Sequence, residues 1–201
     1  MENPIVETPV PQSDSVETRK TTSQGWGRFF LDVIETLLLS AVLFLAINAL
    51  SARVRVDGFS MVPTLQNGEF VLVNRLAYRL GVPQRGDIIV FHFPPDPASQ
   101  DLIKRVIGLP GDHVVVDRGI VSVNGISLSE PYIAASPIYT GDWVVPVNNL
   151  FVLGDNRNDS SDSHSWGMLP LDQIVGKAVF VYWPFSDWKV IDHFEFDGLT
   201  P

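Results

Sequence analysis

The chain has 201 residues, no cysteine and a formal net charge of −9 at neutral pH. This length allows one medium-sized domain with accessory segments. The lack of cysteine excludes disulfide bonds, thiolate metal sites and a cysteine nucleophile. The acidic balance leaves no basic stripe to neutralise phosphates, so we expect no nucleic-acid partner.

The N-terminal part of the sequence divides into a polar and an apolar segment. Residues 1–25 are polar and punctuated by proline. They offer too little apolar surface to offset the entropy of ordering, so a disordered tail is predicted. Residues 26–50 are rich in apolar side chains, and from Leu37 to Leu50 they are apolar nearly all round. A helix from Val33 to Leu50 rises about 27 Å, close to the hydrocarbon thickness of a bilayer. The prediction is one transmembrane anchor over residues 26–50.

A cleavable secretory signal is the alternative interpretation of the apolar segment. Ala49-Leu50-Ser51 places small residues at −3 and −1 before Ala52. In that case the remainder is a secreted β-rich binding protein. The long polar stretch before the segment, together with Asp32 and Glu35, favours an uncleaved anchor. Arg19, Lys20 and Arg28 precede the Val33–Leu50 span, and Arg53 and Arg55 closely follow it, so charge does not decide its orientation.

Residues 51–201 lack any long stretch of helical periodicity. Their apolar runs are short, rich in Val, Ile, Phe and Tyr, and separated by Gly, Pro, Asn and Asp. This pattern predicts a mainly β fold, a compact domain of short antiparallel strands. Asp117-Arg118-Gly119 and Asn124-Gly125 are predicted hairpin turns, because glycine accepts positive φ.

Two residues in this domain are candidates for catalysis. Ser60 lies in the run Gly58-Phe59-Ser60-Met61-Val62-Pro63, and Lys104 follows 44 residues later in an apolar run. A serine hydroxyl needs a base to remove its proton, and lysine can be that base only when uncharged. Burial can lower the lysine pKa from about 10.4 to the useful range of roughly 7–8. In a strand, Lys104 and Arg105 point to opposite faces, so one is expected to be buried and the other to reach water.

Four segments together indicate a family. They are, in chain order, Ser60-Met61-x-Pro63-Thr64-Leu65, then Arg85-Gly86-Asp87-Ile88-Ile89-Val90-Phe91, then Lys104-Arg105-Val106-Ile107-Gly108-Leu109-Pro110-Gly111-Asp112, and last Gly154-Asp155-Asn156-Arg157 with Ser160, Asp162 and Ser163. In order and spacing they resemble the type I signal peptidases (leader peptidases), membrane-anchored enzymes of the serine/lysine kind. The polar segment's ending at 162–167 and Tyr182-Trp183-Pro184 are most similar to cyanobacterial and chloroplast members.

The resemblance implies the roles of the two central residues. Ser60 is the expected nucleophile, and Lys104 the expected general base for both its attack and the later attack of water. The main-chain N–H of Ser60 is the first expected oxyanion donor. Some members add a serine hydroxyl two residues before the nucleophile, where this chain has Gly58. The second donor therefore stays open.

The polar segment is expected to support the lysine. Ser160 matches the serine that orients the lysine amine. Asp162 matches a supporting acid that holds the loop with Arg157 and Asp155, and we expect it to pair with Arg157. We interpret Asn158 and Asp159 as a solvated turn. His164 stands where arginine is common in the family.

Substrate binding is expected at an exposed strand edge near Ser60, which pairs with an extended peptide. By resemblance, shallow pockets admit only small side chains at positions −1 and −3. Phe59 and Met61 are candidate walls, with residues near Val90–Phe93, and Gly58 allows close approach of the backbone.

The sequence therefore predicts a membrane-anchored endopeptidase that removes signal peptides from exported preproteins after small-x-small sites. Its partners are signal peptides and the lipid bilayer. The resemblance implies a cytoplasmic tail and a catalytic domain, residues 51–201, beyond the plasma or thylakoid membrane. The histidines fit no metal spacing, so we expect no metal and no cofactor. The alternative enzyme, a cytosolic self-cleaving repressor-type protease, is disfavoured by the apolar segment and by the Gly154–Arg157 motif.

Overall fold

The protein is represented by a computed structural model that describes residues 25–96, 98 and 100–199. Apart from Gly25, the predicted tail lies outside the described residues. The described chain forms three α-helices, two short 3-10 helices and twelve strands. The helices are α1 (Gly25–Leu50), α2 (Ala77–Leu80) and α3 (Ser163–Trp166), and the 3-10 helices are Leu171–Gln173 and Phe185–Asp187. The strands are β1 (Ser51–Arg55), β2 (Phe70–Asn74), β3 (Ile88–His92), β4 (Asp101–Gly108), β5 (His113–Asp117), β6 (Ile120–Val123), β7 (Ile126–Ser127), β8 (Gly141–Val144), β9 (Asn149–Leu153), β10 (Leu169–Pro170), β11 (Ile174–Trp183) and β12 (Lys189–Val190).

Helix α1 coincides with the predicted apolar segment. It is 26 residues long, and none of its residues is buried. Within the described ranges it is the one helix long and apolar enough to cross a membrane. The chain separates into two compact units whose boundary lies inside this helix, between Leu43 and Phe44. The division of the chain at residues 25 and 50 stays a prediction.

The strands form two antiparallel sheets. The larger has the order β1-β2-β11-β3-β4-β9-β10, with β12 added on β11, and the smaller has the order β7-β6-β5-β8. Short runs of β-branched and aromatic residues bounded by turn residues are typical of such sheets. The predicted fold class, mainly antiparallel β with one N-terminal helix, is confirmed.

The two predicted hairpin turns lie in the smaller sheet. Arg118 and Gly119 join β5 to β6 with φ values of 47° and 79°, and Asn124 and Gly125 join β6 to β7 with 52° and 81°. Positive φ at both central residues is the conformation that matches the twist of the flanking strands.

Strand β3 forms part of the core. All four residues from Ile88 to Phe91 are buried, because both faces of this strand are covered by apolar clusters. The expectation that Val90–Phe93 borders a substrate pocket is therefore wrong for Val90 and Phe91, whose side chains are fully enclosed.

An open cleft separates β1 from the first half of β4. Strand β1 pairs only with β2 among the described strands. Strand β4 pairs with β3 from Asp101 onward, but its pairing with β9 begins only at Arg105. The edges of β1 and of residues 101–104 are therefore both free, and residues from both line one cavity of about 300 Å³.

The C-terminal segment crosses the turn before β3. Gly86 has φ +94°, and a Cβ atom added there would lie 1.9 Å from the carbonyl oxygen of Phe194. His193 places Nδ1 2.9 Å from Oδ1 of Asp87. The chain thus passes so close to Gly86 that no side chain fits between the two backbones.

We predict that Gly86→Ala destabilises the protein much more than Gly111→Ala. Gly111 has nearly the same φ, +90°, but open space around its Cβ position. The Gly111 variant should lose about 1 kcal/mol from backbone strain alone. The Gly86 variant should lose at least twice as much, because a methyl group also collides with the Phe194 backbone. Denaturant unfolding of the detergent-solubilised variants measures both values, and equal losses would contradict the close crossing.

Candidate active site

Ser60 and Lys104 meet at one end of the cleft. Ser60 lies on the loop between β1 and β2, and Lys104 lies in β4. The Nζ atom of Lys104 is 2.7 Å from Oγ of Ser60. It also donates a hydrogen bond to the carbonyl of Ile103 at 3.0 Å. The two side chains are thus within proton-transfer distance, although their catalytic roles remain predictions.

Burial changes the acidity of the lysine. Only 3% of Lys104 is exposed. Loss of hydration lowers the pKa of Lys104 from 10.5 to about 8, against the opposing charges of Asp162 and Asp155. A large fraction of the amine is therefore uncharged at mildly alkaline pH, as a proton acceptor requires.

Asp155 connects three parts of the site. It is fully buried and binds Arg105 through two hydrogen bonds, from Nε at 2.8 Å and Nη2 at 2.7 Å. Thr64, four residues after Ser60, donates a hydrogen bond to the same carboxylate at 2.5 Å. Asp155 therefore fixes strand β4 to the loop that carries Ser60.

The expectation that either Lys104 or Arg105 reaches water is wrong. The two side chains do point apart, as strand geometry requires, but Arg105 is only 2% exposed. Its charge is matched by Asp155, and the ring of Tyr132 covers its guanidinium at 4.0 Å from the ring centroid. A paired and covered arginine can stay buried where an isolated one could not.

The loop after β9 contacts the Ser60 loop directly. The main-chain N–H of Asn156 donates to the carbonyl of Ser60 at 2.9 Å, and its side-chain amide donates to the carbonyl of Phe59 at 3.2 Å. A Cβ atom on Gly154 would lie 2.2 Å from Oγ of Ser160 and 2.5 Å from the Ser60 carbonyl oxygen. Glycine is required at 154 because the two loops touch there.

Ser160 makes a different contact from the one expected. Its hydroxyl is buried and forms no hydrogen bond with any described residue. The expected bond to Lys104 is absent; the lysine amine instead contacts Oγ of Ser60 and the carbonyl of Ile103. Ser160 instead packs against Gly154, beside the Ser60 carbonyl.

Asp162 pairs with His164 rather than with Arg157. Its carboxylate lies 2.6 Å from Nδ1 of His164 and accepts the main-chain N–H of Gly154 at 2.9 Å. It also caps helix α3. The His164 ring stacks on Tyr139, with 4.0 Å between ring centroids. The predicted Asp162–Arg157 pair is therefore wrong, since Asp162 is already occupied by closer partners.

Arg157 binds Glu130, a residue for which the sequence analysis predicted no role. The guanidinium donates to both carboxylate oxygens at 2.7 and 2.6 Å. The Arg157 side chain is fully buried and that of Glu130 is 6% exposed. This pair joins the segment after β7 to the loop after β9.

The neighbouring Asn158 is also more constrained than a solvated turn. Its side-chain oxygen accepts the N–H of Ile138 at 2.9 Å, and its amide donates to the carbonyl of Ser136 at 2.9 Å. Asn158 therefore holds the 136–138 segment, contrary to expectation. Asp159 is exposed and makes no side-chain hydrogen bond within the described ranges, in keeping with a solvated turn.

The three predicted substrate contacts differ in position. Met61 is 2% exposed, packs into the core and lines the cleft. Gly58 is exposed, with φ +104° and open space at its Cβ position. Phe59 is 58% exposed and is not among the residues that line the cleft. The cleft is lined by Arg53, Val54, Arg55, Val56, Asp57, Ser60, Met61, Gln100, Asp101, Leu102, Ile103 and Lys104.

Sequence reasoning missed several supporting residues. Arg105 carried a usable signal, because a second charge inside an apolar run needs a buried partner. Thr64 and Asn156 lie inside the quoted motifs, but nothing in their type identifies their acceptors. Among the described residues, no group of His, Asp and Glu side chains is arranged to hold a metal ion.

Comparisons with known proteins identify the family. The family model described as "Signal peptidase, peptidase S26" matches residues 30–183. A signal peptidase I of Leptolyngbya laminosa is 44% identical over 165 residues, which cover 78% of this chain and 81% of the relative. A probable signal peptidase I-1 of Synechocystis sp. is 42% identical over 178 residues, covering 84% of this chain and 90% of the relative. A crystal structure of a signal peptidase I from Enterococcus faecalis is 36% identical with a TM-score of 0.42, covering 47% of this chain and 95% of that chain.

The chain belongs to the signal peptidase family, peptidase S26, a family of serine endopeptidases. Within it, the chain is similar to the cyanobacterial signal peptidases I. The predicted family and the predicted similarity to cyanobacterial members are confirmed.

The buried Arg157–Glu130 pair generates a stability prediction. Glu130→Gln leaves a buried guanidinium without its counter-charge, which typically costs about 3–5 kcal/mol. Asp117→Asn breaks the exposed pair of Asp117 with Arg118 and serves as the control. We expect a large fall in the thermal unfolding midpoint for the first variant and none for the second. Equal midpoints would show that the Glu130 pair does not stabilise the fold.

Proposed function

We propose that this protein cleaves signal peptides from preproteins with Ser60 as nucleophile and Lys104 as general base. The observation that carries the proposal is the 2.7 Å contact between the Ser60 hydroxyl and a buried lysine amine. Family membership supplies the reaction class, hydrolysis of a peptide bond. The geometry supports this assignment of roles within that class.

The reaction follows from the contact. The uncharged amine of Lys104 accepts the Ser60 proton while Oγ attacks the scissile carbonyl carbon. The Ser60 N–H, which has no acceptor within the described ranges, is available to the developing oxyanion. Protonated Lys104 returns its proton to the leaving amine, and an acyl-enzyme remains. The Lys104 amine then takes a proton from water, which attacks the acyl-enzyme. Protonated Lys104 returns this proton to Oγ of Ser60 as the acid is released.

The cleft is suited to an extended peptide. A bound peptide strand can hydrogen-bond to the free edges of β1 and β4 at once, which supplies affinity without regard to sequence. Val54, Val56 and Ile103 provide apolar surface in the cleft. A shallow apolar floor accommodates small side chains at alternate positions, in keeping with small-x-small sites.

The apolar helix supports a membrane location for the reaction. We propose that α1 anchors the protein in the plasma or thylakoid membrane, with the β domain on the extracytoplasmic or lumenal side. Preproteins present their signal peptides at such a surface. The lipid bilayer is thus the second partner of the protein.

Removal of either catalytic group should abolish turnover. We expect kcat on a preprotein to fall by roughly 10⁴-fold in each of three variants, Ser60→Ala, Lys104→Ala and Lys104→Arg. The first two variants lack the nucleophile or the base. In the third, the guanidinium stays charged and cannot act as a base. The double variant should lose no more than either single variant, since the two groups act as one unit. Ser186→Ala changes an exposed serine elsewhere and should be fully active. Substantial activity in any of the first three variants would disprove the assignment.

The acidity of Lys104 should set the pH profile. Protonated Lys104 cannot accept the Ser60 proton, so kcat/KM should rise with pH and level off above about 8. The charge of Asp162 raises the Lys104 pKa. Asp162→Asn should therefore move the rising limb to lower pH, whatever activity it retains. Rate measurements from pH 5 to 10 test both points, and a limb at an unchanged pH would contradict the coupling.

A further inference from the structure

Two arginines stand on the rim of the cleft of an otherwise acidic protein. Arg53 and Arg55 both line the cavity that contains Ser60. They alternate along β1 with Val54 and Val56, which pack into the core, so the arginines occupy the opposite, exposed face. The chain has 14 basic and 23 acidic residues, which makes two adjacent positive charges at the cleft notable.

The direction of the cleft defines which substrate residues pass the two arginines. Strand β1 approaches Ser60 in the order Arg53, Arg55, and β4 approaches Lys104 from Asp101 in the same sense. If the scissile bond lies at Ser60, residues on its N-terminal side extend back along both strands. Position −2 then lies beside Arg55 and position −4 beside Arg53.

Strand geometry assigns the side-chain directions. When the substrate side chains at positions −1 and −3 point to the apolar floor, those at positions −2 and −4 point to the open face. That face carries the two guanidinium groups. Side chains that are neighbours on one face of a sheet interact, and opposite charges in such positions attract each other.

The acidic groups around the rim do not cancel both arginines. Asp57 lies 3.5 Å from Arg55, and both side chains are more than half exposed. Asp101, on the opposite wall, lies 2.7 Å from Nδ1 of His92. Arg53 makes no salt bridge with any residue that the structure describes. Of the two, Arg53 has the more available charge.

We infer that Arg53 and Arg55 are specificity-determining residues that favour acidic and disfavour basic side chains at positions −4 and −2 of the substrate. Resting on the proposed function, this inference adds a charge preference to the small-x-small pattern. Arg53 reads position −4, and Arg55 reads position −2 more weakly because Asp57 shares its charge.

The experiment compares cleavage of one peptide series by the full-length protein in neutral detergent. The peptides carry small residues at −1 and −3, with Glu, Gln or Lys at −2 or −4. For the wild type we expect kcat/KM to be roughly three- to tenfold higher for Glu than for Lys at −4, with a smaller ratio at −2. Both ratios should fall as salt is raised.

Charge reversal locates the effect. Arg53→Glu should invert the preference at −4 and leave that at −2 nearly unchanged, and Arg55→Glu should do the converse. The control Arg79→Glu/Arg118→Glu makes a larger charge change at exposed positions outside the cleft and should keep the wild-type ratios. A loss of preference in this control would show a general charge effect and overturn the inference.

Two further outcomes are distinct. If the wild type cleaves none of the peptides, including the Gln series, the proposed function itself fails. If it cleaves them all with a Glu-to-Lys ratio near one, only the inference fails. Binding of inactive Ser60→Ala protein to anionic and neutral vesicles tests whether the two arginines bind lipid phosphates instead of substrate side chains. Weaker anionic-vesicle binding on reversal of Arg53 and Arg55, with unchanged peptide ratios, would assign the pair to lipid phosphates and overturn the inference.

Discussion

The arrangement of this site depends on lowering the pKa of one buried amine that lies among carboxylates. Lys104 loses its hydration in the interior, and this lowers its pKa, but Asp155 and Asp162 nearby favour the protonated form. The structure limits their influence by giving each carboxylate other partners. Arg105 and Thr64 hold Asp155, while His164 and the Gly154 N–H hold Asp162. The surrounding polar network therefore serves the protonation state of a single side chain as much as the stability of the fold.

The same contacts explain why distant segments assemble around the cleft. Asp155 connects β4 to the Ser60 loop, and the Asn156 N–H binds the Ser60 carbonyl. Arg157 then joins this loop to Glu130. Three consecutive residues thus contact three different segments of the domain. A local distortion of the loop after β9 would therefore be transmitted to the nucleophile, to the strand of the base and to the segment after β7.

Much of the fold and the central residues could be predicted from the sequence, because their signals are local. Short β-branched runs predicted the strands, continuous apolar character predicted α1, and the family motifs selected Ser60 and Lys104. The partners of the buried charged side chains were harder to predict from the sequence. The burial of Arg105 depends on Asp155, which lies fifty residues away in the sequence. Arg157 binds Glu130 although Asp162 is closer to it in the sequence. These choices depend on which segments meet in space, and neither residue type nor spacing encodes that directly.

Because β4 pairs with β9 only from Arg105 onward, the free edge of β4 limits how far a bound peptide strand can extend. Leu153 pairs with Arg105, and beyond Leu153 the chain turns away through Gly154 toward Ser60. A peptide strand that adds to residues 101–104 would occupy the same side of β4 and be in line with β9. It could not slide further along β4, because the end of β9 blocks the way. A bound strand would therefore have to leave the edge of β4 beside Lys104, so the extended part of any peptide would end next to that amine.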